Sequence, residues 1–580
     1  MTTSVIPTAA SPDVCTISVL IDGSEISGEF HVLSATVSHE LGRVPSASVQ
    51  LSDGEAARRT FPASDTAHFV PGKQIQLRLG YRGDTEAVFS GLIVTHRVRV
   101  RKNATLLSLE CRDKAVRMTT EPKSRYFTDT TDSNILDELI GGHGLDSSVT
   151  ATTPTLETVV QYDTTDWDFL VCRAEANGHI VVVKSGKVTV GPPDVGAQPV
   201  VSTEFGATVL ELDAEIDARW QVPGVTATSW SAADQAPVST DASEPSVTGS
   251  GDLSAPDLAT VIGGDPHVLR HGGKLSEPEL QAWADGRLLK DRLAKVRGRV
   301  RFQGFAGVAP GDVIEVNGVG TRVSGAQLVS GVRHSYANGN WETDVAFGLA
   351  PQTHAATYPI TAIPAGGLLG AVSGLQIGVV TALQDDPEGE DRIRVRLPLV
   401  SPSEDGVWTR LATLDAGDGR GTFFRPEIDD EVVVGFLDAD PRHPIVLGQL
   451  HSSAKAPPAR GEDANDVKGY VSREKLKVTF DDGKKSVVVE TPAGNKVTLS
   501  DDDESVTVAD QHGNSITLDD GGITLKSAKA LTLQASGAVK VEGNGLDLSA
   551  KGSFKASGQS GADITSGGTL AIKGSLVQIN

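Results

Sequence analysis

Apolar residues in this 580-residue chain recur at every second position far more often than at helical spacing, in short runs closed by turn residues. Cys15, Ile17, Val19 and Ile21 alternate with polar neighbours and stop at Asp22-Gly23, the signature of a half-buried strand and a turn. The same alternation appears at Ala47-Val49-Leu51, Ile75-Leu77-Leu79-Tyr81, Val94-His96-Val98-Val100 and Leu107-Leu109-Cys111. Strands at this spacing, punctuated by turns such as Pro71-Gly72, predict a small β-barrel over residues 1–125.

Two helical stretches interrupt the alternation. Thr131 to Ile140 places polar cap residues before Ile135, Leu136, Leu139 and Ile140, with Gly141-Gly142 as a stop. Thr165 to Ala176 opens on Thr165 and Asp166, carries Trp167, Leu170 and Val171, and ends at Asn177-Gly178. With the hairpin around Ser185-Gly186, they define an α+β segment over 126–230. Residues 231–265 are rich in Ser, Ala, Asp, Pro, Thr and Gly and read as a long exposed loop or linker. The clearest helix follows, with Ser276 and Glu279 as a capping box, Leu280, Trp283, Leu288, Leu289, Leu293 and Val296 at helical spacing, and Gly298 as its end. Strands at Gly298–Phe302, Val313–Val316, Thr321–Val323, Ala326–His334 and Trp341–Phe347 complete a second barrel over 266–360.

The 22 residues from Ala362 to Leu383 carry no charge, but they hold Pro364 and five glycines. A spanning helix would lose about 1 kcal/mol per Gly and about 3 for the Pro, so 361–374 reads as a linker running into a strand. Five short strands then fall within 375–455: Gln376–Leu383, Arg392–Leu397, Trp408–Ala412, a run ending at Phe436, and Ile445–Leu450. That number and spacing fit an OB-fold. A connector, 456–475, precedes the last region.

From residue 476 to 580 apolar residues come in pairs at i and i+2. They are Leu476 with Val478, Val487 with Val489, Val497 with Leu499, Val506 with Val508, Ile516 with Leu518, Ile523 with Leu525, Leu531 with Leu533, Val539 with Val541, Leu546 with Leu548, Leu570 with Ile572, and Val577 with Ile579. From Ile516 the first members advance by 7, 8, 8 and 7, with Gly, Asn, Asp or Ser between them. A short fixed period marks a repeat architecture. One chain with two inward residues per repeat has nothing to bury them against, and a single-chain solenoid needs longer coils. Three chains wound together bury each pair on a common axis and leave no sheet edge open. The fold class is therefore mostly β: two barrel domains with short helices, an OB-fold, and an intertwined triple-stranded β-helix formed by a homotrimer.

Composition narrows the chemistry. Acidic residues outnumber basic ones by 75 to 52, giving a net charge of −23, and the OB loops carry Asp385, Asp386, Glu388, Asp438 and Asp440. A phosphate backbone would be repelled, which argues against nucleic acid as a partner. Cys15, Cys111 and Cys172 match no zinc spacing, and an odd count suits a reducing compartment; the N-terminal residues show no secretory pattern. No catalytic, cofactor or metal motif emerges. His39-Glu40 lacks the second His of a zincin, Gly417-Asp418-Gly419-Arg420-Gly421 lacks the Lys of a phosphate loop, and Asp501-Asp502-Asp503-Glu504 lacks EF-hand spacing. The chain is expected not to be an enzyme.

Several of these segments resemble a known family. Phe305-Ala306-Gly307-Val308-Ala309-Pro310-Gly311-Asp312, with Gly325 and Val332-Arg333-His334, and the stretch Asp163 to Gly178, resemble phage late-control D hub proteins. Glu431 to Leu450 resembles the OB domain of baseplate spikes, and the paired repeat resembles the needle of VgrG-like spikes of contractile injection systems. The resemblance implies a structural hub and spike that joins a sixfold tube to a threefold needle and punctures a target envelope. It implies as partners a hexameric tube protein, baseplate proteins and a PAAR-type tip protein, with transient contact with the target membrane or envelope. The particle would assemble in the cytoplasm and be released or reach the target envelope. The tip protein would dock on Leu576, Val577, Gln578, Ile579 and Asn580. Two other readings are a trimeric fibre or adhesin, which needs an aromatic-rich receptor end, and an effector-bearing type VI spike with enzymatic activity. Leu450 to Lys475 is too short for the lysozyme domain some needles carry, and an effector domain after the rod is not expected.

Overall fold

The structure is a computed structural model that describes residue 6 and residues 14–579, apart from 103, 248 and 249. The chain forms two compact units: residues up to 373 together with 438–440, and 374–437 together with 441–580.

The alternating runs of the first unit form a 13-stranded sheet. Cys15–Ile21 lies antiparallel to Gln74–Tyr81, which pairs with the long strand Asp84–Arg101. Cross-strand neighbours share a face, so Val19, Ile21, Val49, Leu51, Leu77, Leu107 and Leu109 fall together in one core. Val32–Glu40 pairs with Gly325–Ala337, so one sheet runs through both barrel regions. The second region keeps its own core around Val300, Phe302, Ile314, Val329, Val345 and Phe347. A third core holds the two helices, Asp132–Gly142 and Asp166–Ala176, capped by Thr131 and Thr165.

The structure departs from the sequence reading at several places in this unit. The expected loop 231–265 contains a strand, Ala236–Asp241, antiparallel to Val225–Ser231, and a helix, Ala255–Ile262, capped by Ser254. The helix buries only Leu258 and Ala259, while Val261 and Ile262 stay exposed, and its eight residues are a short run within polar flanks. The capping box of Ser276 and Glu279 is present, but its helix, Glu277–Leu293, ends before Val296. Val296 and Gly298 lie in the strand Val296–Gln303 instead. A Cβ on Gly298 would sit 2.3 Å from the Asp213 carbonyl oxygen, so this glycine serves close strand packing, not a helix stop. Thr321–Val323 is a turn, not a strand.

In the second unit Gln376–Ala382, Ile393–Arg396, Val407–Leu411, Pro444–Gln449 and Glu431–Phe436 close into a five-stranded barrel. Val380, Ile393, Val395, Val432, Val434 and Val446 fill it. The uncharged stretch before it supplies a short turn, Pro364–Gly367, and the first barrel strand. Among the described residues no helix is long and apolar enough to cross a membrane.

The paired repeat divides in two. Strands Val467–Val471, Lys477–Asp481, Ser486–Glu490, Lys496–Ser500, Ser505–Ala509, Ser515–Asp519 and Gly522–Lys526 form an antiparallel meander within the chain. Its first strand lies inside the expected connector 456–475. Residues 527–579 form no strand with their own chain. Intertwining from 476 onward is the expectation; up to Lys526 the backbone is instead paired in-chain, through turns that shorten to Asp520-Gly521 before the last strand.

Candidate trimer axis and tip

The meander sorts its side chains onto two faces. Val478 stands opposite Val489 and Phe480 opposite Val487. Val487 then faces Leu499 and Val489 faces Val497; Val497 faces Val508 and Leu499 faces Val506. Val506 meets Leu518 and Val508 meets Ile516, and Ile516 and Leu518 meet Leu525 and Ile523. Partners across an antiparallel ladder share a face, as do residues i and i+2. All these apolar side chains therefore line one face as a continuous double stripe. The pair on the second strand is Val478 with Phe480, not Leu476 with Val478, since Leu476 precedes the strand. On the opposite face the middle row reads Thr479, Val488, Thr498, Thr507, Thr517 and Thr524, β-branched residues that all carry a hydroxyl except Val488 and are half-buried except Thr524.

The chain does not cover this stripe. Val487 and Val497 are half-buried, and the other members run from 36% exposed at Val478 to 72% at Ile523. The OB barrel residues, by contrast, are at most 1% exposed. A contiguous apolar face of that kind marks a surface that binds protein. Polar groups are settled at the strand ends. Lys477 pairs with Glu490 at 3.8 Å, and Lys468 pairs with Asp482. In the acidic turn, Ser500 Oγ donates to Asp503 Oδ2 at 2.9 Å and accepts from the Asp503 N–H. Asp510 accepts from the backbone N–H groups of His512 and Asn514 and from the Asn514 amide, which hold its carboxyl below the usual range and fix the turn that exposes His512. Among the described residues no three His, Cys, Asp or Glu side chains converge as a metal site requires.

Beyond Lys526 the expected axis residues are not buried in the single chain. Leu531, Leu533, Val539, Val541, Leu546, Leu548, Leu570, Ile572, Val577 and Ile579 are all exposed. Val541 is 66% exposed, Leu548 65% and Ile572 63%, so none of these three is a core residue of its own chain. The physical reason is the one that separates this segment from the meander: the backbone as well as the side chains lacks an in-chain strand partner, and one extended chain offers its apolar pairs nothing to pack against. Two positions escaped the sequence reading. Continuing the step of eight from Leu546 reaches Phe554 with Ala556 and Ala562 with Ile564, then Leu570. Phe554 and Ile564 are exposed like the other pairs, and each is matched with a small Ala. The signal was the unbroken spacing; a two-apolar criterion hid it because Ala fills half of each pair. Leu576, Val577, Gln578 and Ile579 are exposed at the last described turn, and Asn580 lies outside the described residues.

In the OB loops the acidic residues divide. Asp386 is held by Arg392, 2.6 Å away, and that guanidinium, with backbone N–H groups, pulls its carboxyl far below the usual range. Asp440 is buried. Asp385, Glu388 and Asp438 remain exposed, though Glu388 also reaches Arg392.

Residues 11–338 match the Alg8 N-terminal domain, more than half of the chain. The chain belongs to the Alg8 N-terminal domain family. That description names a domain and states no reaction. The rest of this Alg8-family chain matches two further families: residues 376–451 the type VI secretion system/phage-baseplate injector OB domain, and residues 486–580 the phage baseplate V C-terminal trimerisation domain. An injector OB domain followed by a trimerisation domain makes the Alg8-family chain a VgrG-like spike protein of contractile injection machinery. Distant solved structures are similar in part. A tail protein from Neisseria meningitidis MC58 is 17% identical, over 60% of this chain and 99% of that one, with a TM-score of 0.43. The E. coli c3393 protein, described as a component of the type VI secretion system, is 13% identical over 74% and 99%, with a TM-score of 0.40. A chain of the Francisella PdpA-VgrG complex is 10% identical over 88% of each, with a TM-score of 0.37. The assignment rests on the family matches.

Proposed function

We propose that three copies of this chain form the central spike of a contractile injection particle, joining a sixfold tube to a threefold rod and puncturing the target envelope on contraction. The observation that supports it is the uncovered double stripe from Val478 to Leu525, continued by the exposed pairs to Ile579, most of it within residues 486–580, which match a trimerisation domain. Three such faces turned inward give a dry apolar axis, with Val487, Val489, Val497, Leu499 and the later pairs as its layers, down to Val541, Leu548 and Ile572. Closely paired strands around a packed axis resist compression along it. The N-terminal unit meets the hexameric tube and baseplate proteins, and the far end carries a PAAR-type tip protein on Leu576 to Asn580. The work is mechanical: the chain contributes no catalysis and binds no nucleic acid, and its contact with the target membrane or envelope is transient. Assembly takes place in the cytoplasm, before the particle is released or fired.

The tip is tested by co-purifying a tip protein with the full chain and with a chain lacking Leu576 to Asn580. Loss of the tip protein with the trimer retained is expected. Equal recovery would show that the tip docks elsewhere. Absence of the trimer in the full chain would overturn the whole reading.

A further inference from the structure

The apolar face of the rod does not stop where the trimerisation match begins. Tyr470 stands opposite Val478 and so lies on the same face, one strand above it. The ring of Phe424, from the OB domain, packs on Tyr470 with centroids 4.8 Å apart, and Arg473 pairs with Glu427 at 2.8 Å beside it. Phe424 belongs to a hairpin of the barrel's loop region, closed by pairing of Ala416 with Gly421 and Gly417 with Arg420. The Asp415–Arg420 ion pair at 2.6 Å ties its two arms. Gly421 is required there, at a φ of +133°, because a Cβ would lie 2.4 Å from the Asp415 carbonyl oxygen.

The hairpin ladder is short. The Thr422 N–H donates to the Asp415 carbonyl, while the Asp415 N–H turns to the Thr422 hydroxyl and the Thr422 carbonyl accepts from Thr413 Oγ1 at 2.9 Å. Phe424 leans on Tyr470, whereas Leu414 and Phe423, on the two arms beside it, are 95% and 82% exposed. Nothing in the chain's own OB domain or rod covers them.

The geometry points to a second copy of this chain as the occupant of that surface. Given the trimeric rod proposed above, on which this inference rests, Tyr470 looks toward the threefold axis. A hairpin lying on Tyr470 therefore stands on the axis side, and its exposed side chains turn across the axis toward the other two hairpins. Leu414 and Phe423 from three copies form an apolar plug above the first rod layer. The plug extends the trimer contact from the rod into the OB domain and closes the axial passage at the head of the rod. Continuity with the rod face decides for this occupant over a foreign partner, since Phe424, Tyr470, Val478 and Phe480 run as one surface, with Lys468 at its edge paired to Asp482.

Single cysteines test it in the full-length chain with Cys172 changed to Ala; Cys15 and Cys111 are buried. Phe423→Cys is left to form disulfides as the chains assemble, with a copper–phenanthroline catalyst present and non-reducing denaturing gels as the readout, beside Val508→Cys on the rod's apolar face and Thr507→Cys on its opposite face. Leu414→Cys repeats the test should Phe423→Cys fold poorly. Linked pairs of chains are expected for Phe423→Cys and Val508→Cys, with Thr507→Cys at background. Linkage at Val508 with background at both Phe423 and Leu414 would overturn the plug and leave the trimeric rod standing. Background at Val508 as well would overturn the rod's axis and the plug with it.

Discussion

The OB barrel and the rod that follows it are written in the same alternation and come to opposite ends. In the barrel, Val380, Ile393, Val395, Val432, Val434 and Val446 are sealed by one another, because five strands curl until the sheet meets itself. In the rod, equally regular pairs stay open, because a flat meander has no second layer and residues 527–579 have no second strand. Period-2 alternation therefore states that a face will be buried but not by whom. Closure of the sheet decides whether the chain or its copies supply the cover.

The harshest way to break this contrast is to place charge in each core. Leu525→Asp with Leu533→Asp puts three unpaired carboxylates in each of two axis layers, at several kcal/mol per charge. Light-scattering mass is expected to fall from three chains to one while the OB barrel keeps its fold. Val395→Asp is expected to do the reverse, unfolding the barrel with the rod still trimeric. A smaller step is Phe554→Ala, which leaves a cavity worth about 3–5 kcal/mol per chain if the ring lies on the axis. The midpoint of thermal dissociation of the trimer should drop clearly. Thr507→Ala on the outer face should shift it much less, since Thr507 is half-buried off the axis and its loss opens no axial cavity.

Acid sharpens the comparison further. His334, fully buried beside His39 and bonded to Thr343 Oγ1 at 3.1 Å, is pushed by burial down to about 3 from 6.5. The folded imidazole stays neutral while the unfolded one takes a proton below pH 6.5. Its contribution is complete above that pH and is lost as pH falls from 6.5 toward 3, by about 1.4 kcal/mol per pH unit for one proton. The N-terminal unit's unfolding midpoint should therefore fall between pH 7.5 and 5, less so in His334→Gln. The axis layers from Val478 to Ile579 hold aliphatic side chains and Phe, and neither Tyr470 nor Lys468 above them is expected to change charge between pH 7.5 and 5, so trimer dissociation should be nearly flat over that range. The smallest effect concerns the thiols. Burial pushes Cys111 up to about 12 and Cys15 up to about 11, so alkylation at pH 7.5 should be negligible until the N-terminal unit unfolds.

Much of this was legible in local spacing. The OB strands, the capped helices at Thr131, Thr165 and Ser276 and the rod pairs each announce themselves within a dozen residues. The helix Ala255–Ile262 did not, because its eight residues sit inside a Ser-, Asp- and Gly-rich stretch and bury only two side chains. Gly298 misled because a glycine that permits close packing and one that ends a helix look alike in sequence. The division of the rod at Lys526 is not marked by the step. Strands start nine or ten residues apart through Ser515–Asp519, yet Gly522–Lys526 follows seven residues on and still pairs in-chain, and the later pairs keep the same seven or eight. Which chain supplies the hydrogen-bond partner leaves no mark in the alternation itself. For the same reason Val541, Leu548 and Ile572 read as core in the sequence and lie open in the chain taken alone. The plug residues Leu414 and Phe423 were invisible for a related reason, since their significance lies in what Tyr470 faces.

Residues 527–579 carry the central claim most directly, because their backbone has no in-chain strand partner and only other copies can protect it. Amide hydrogen exchange of the purified full-length protein should show these residues exchanging as slowly as the meander from Val467 to Lys526. Exchange at the rate of an unstructured peptide, with the meander still protected, would contradict the three-chain rod.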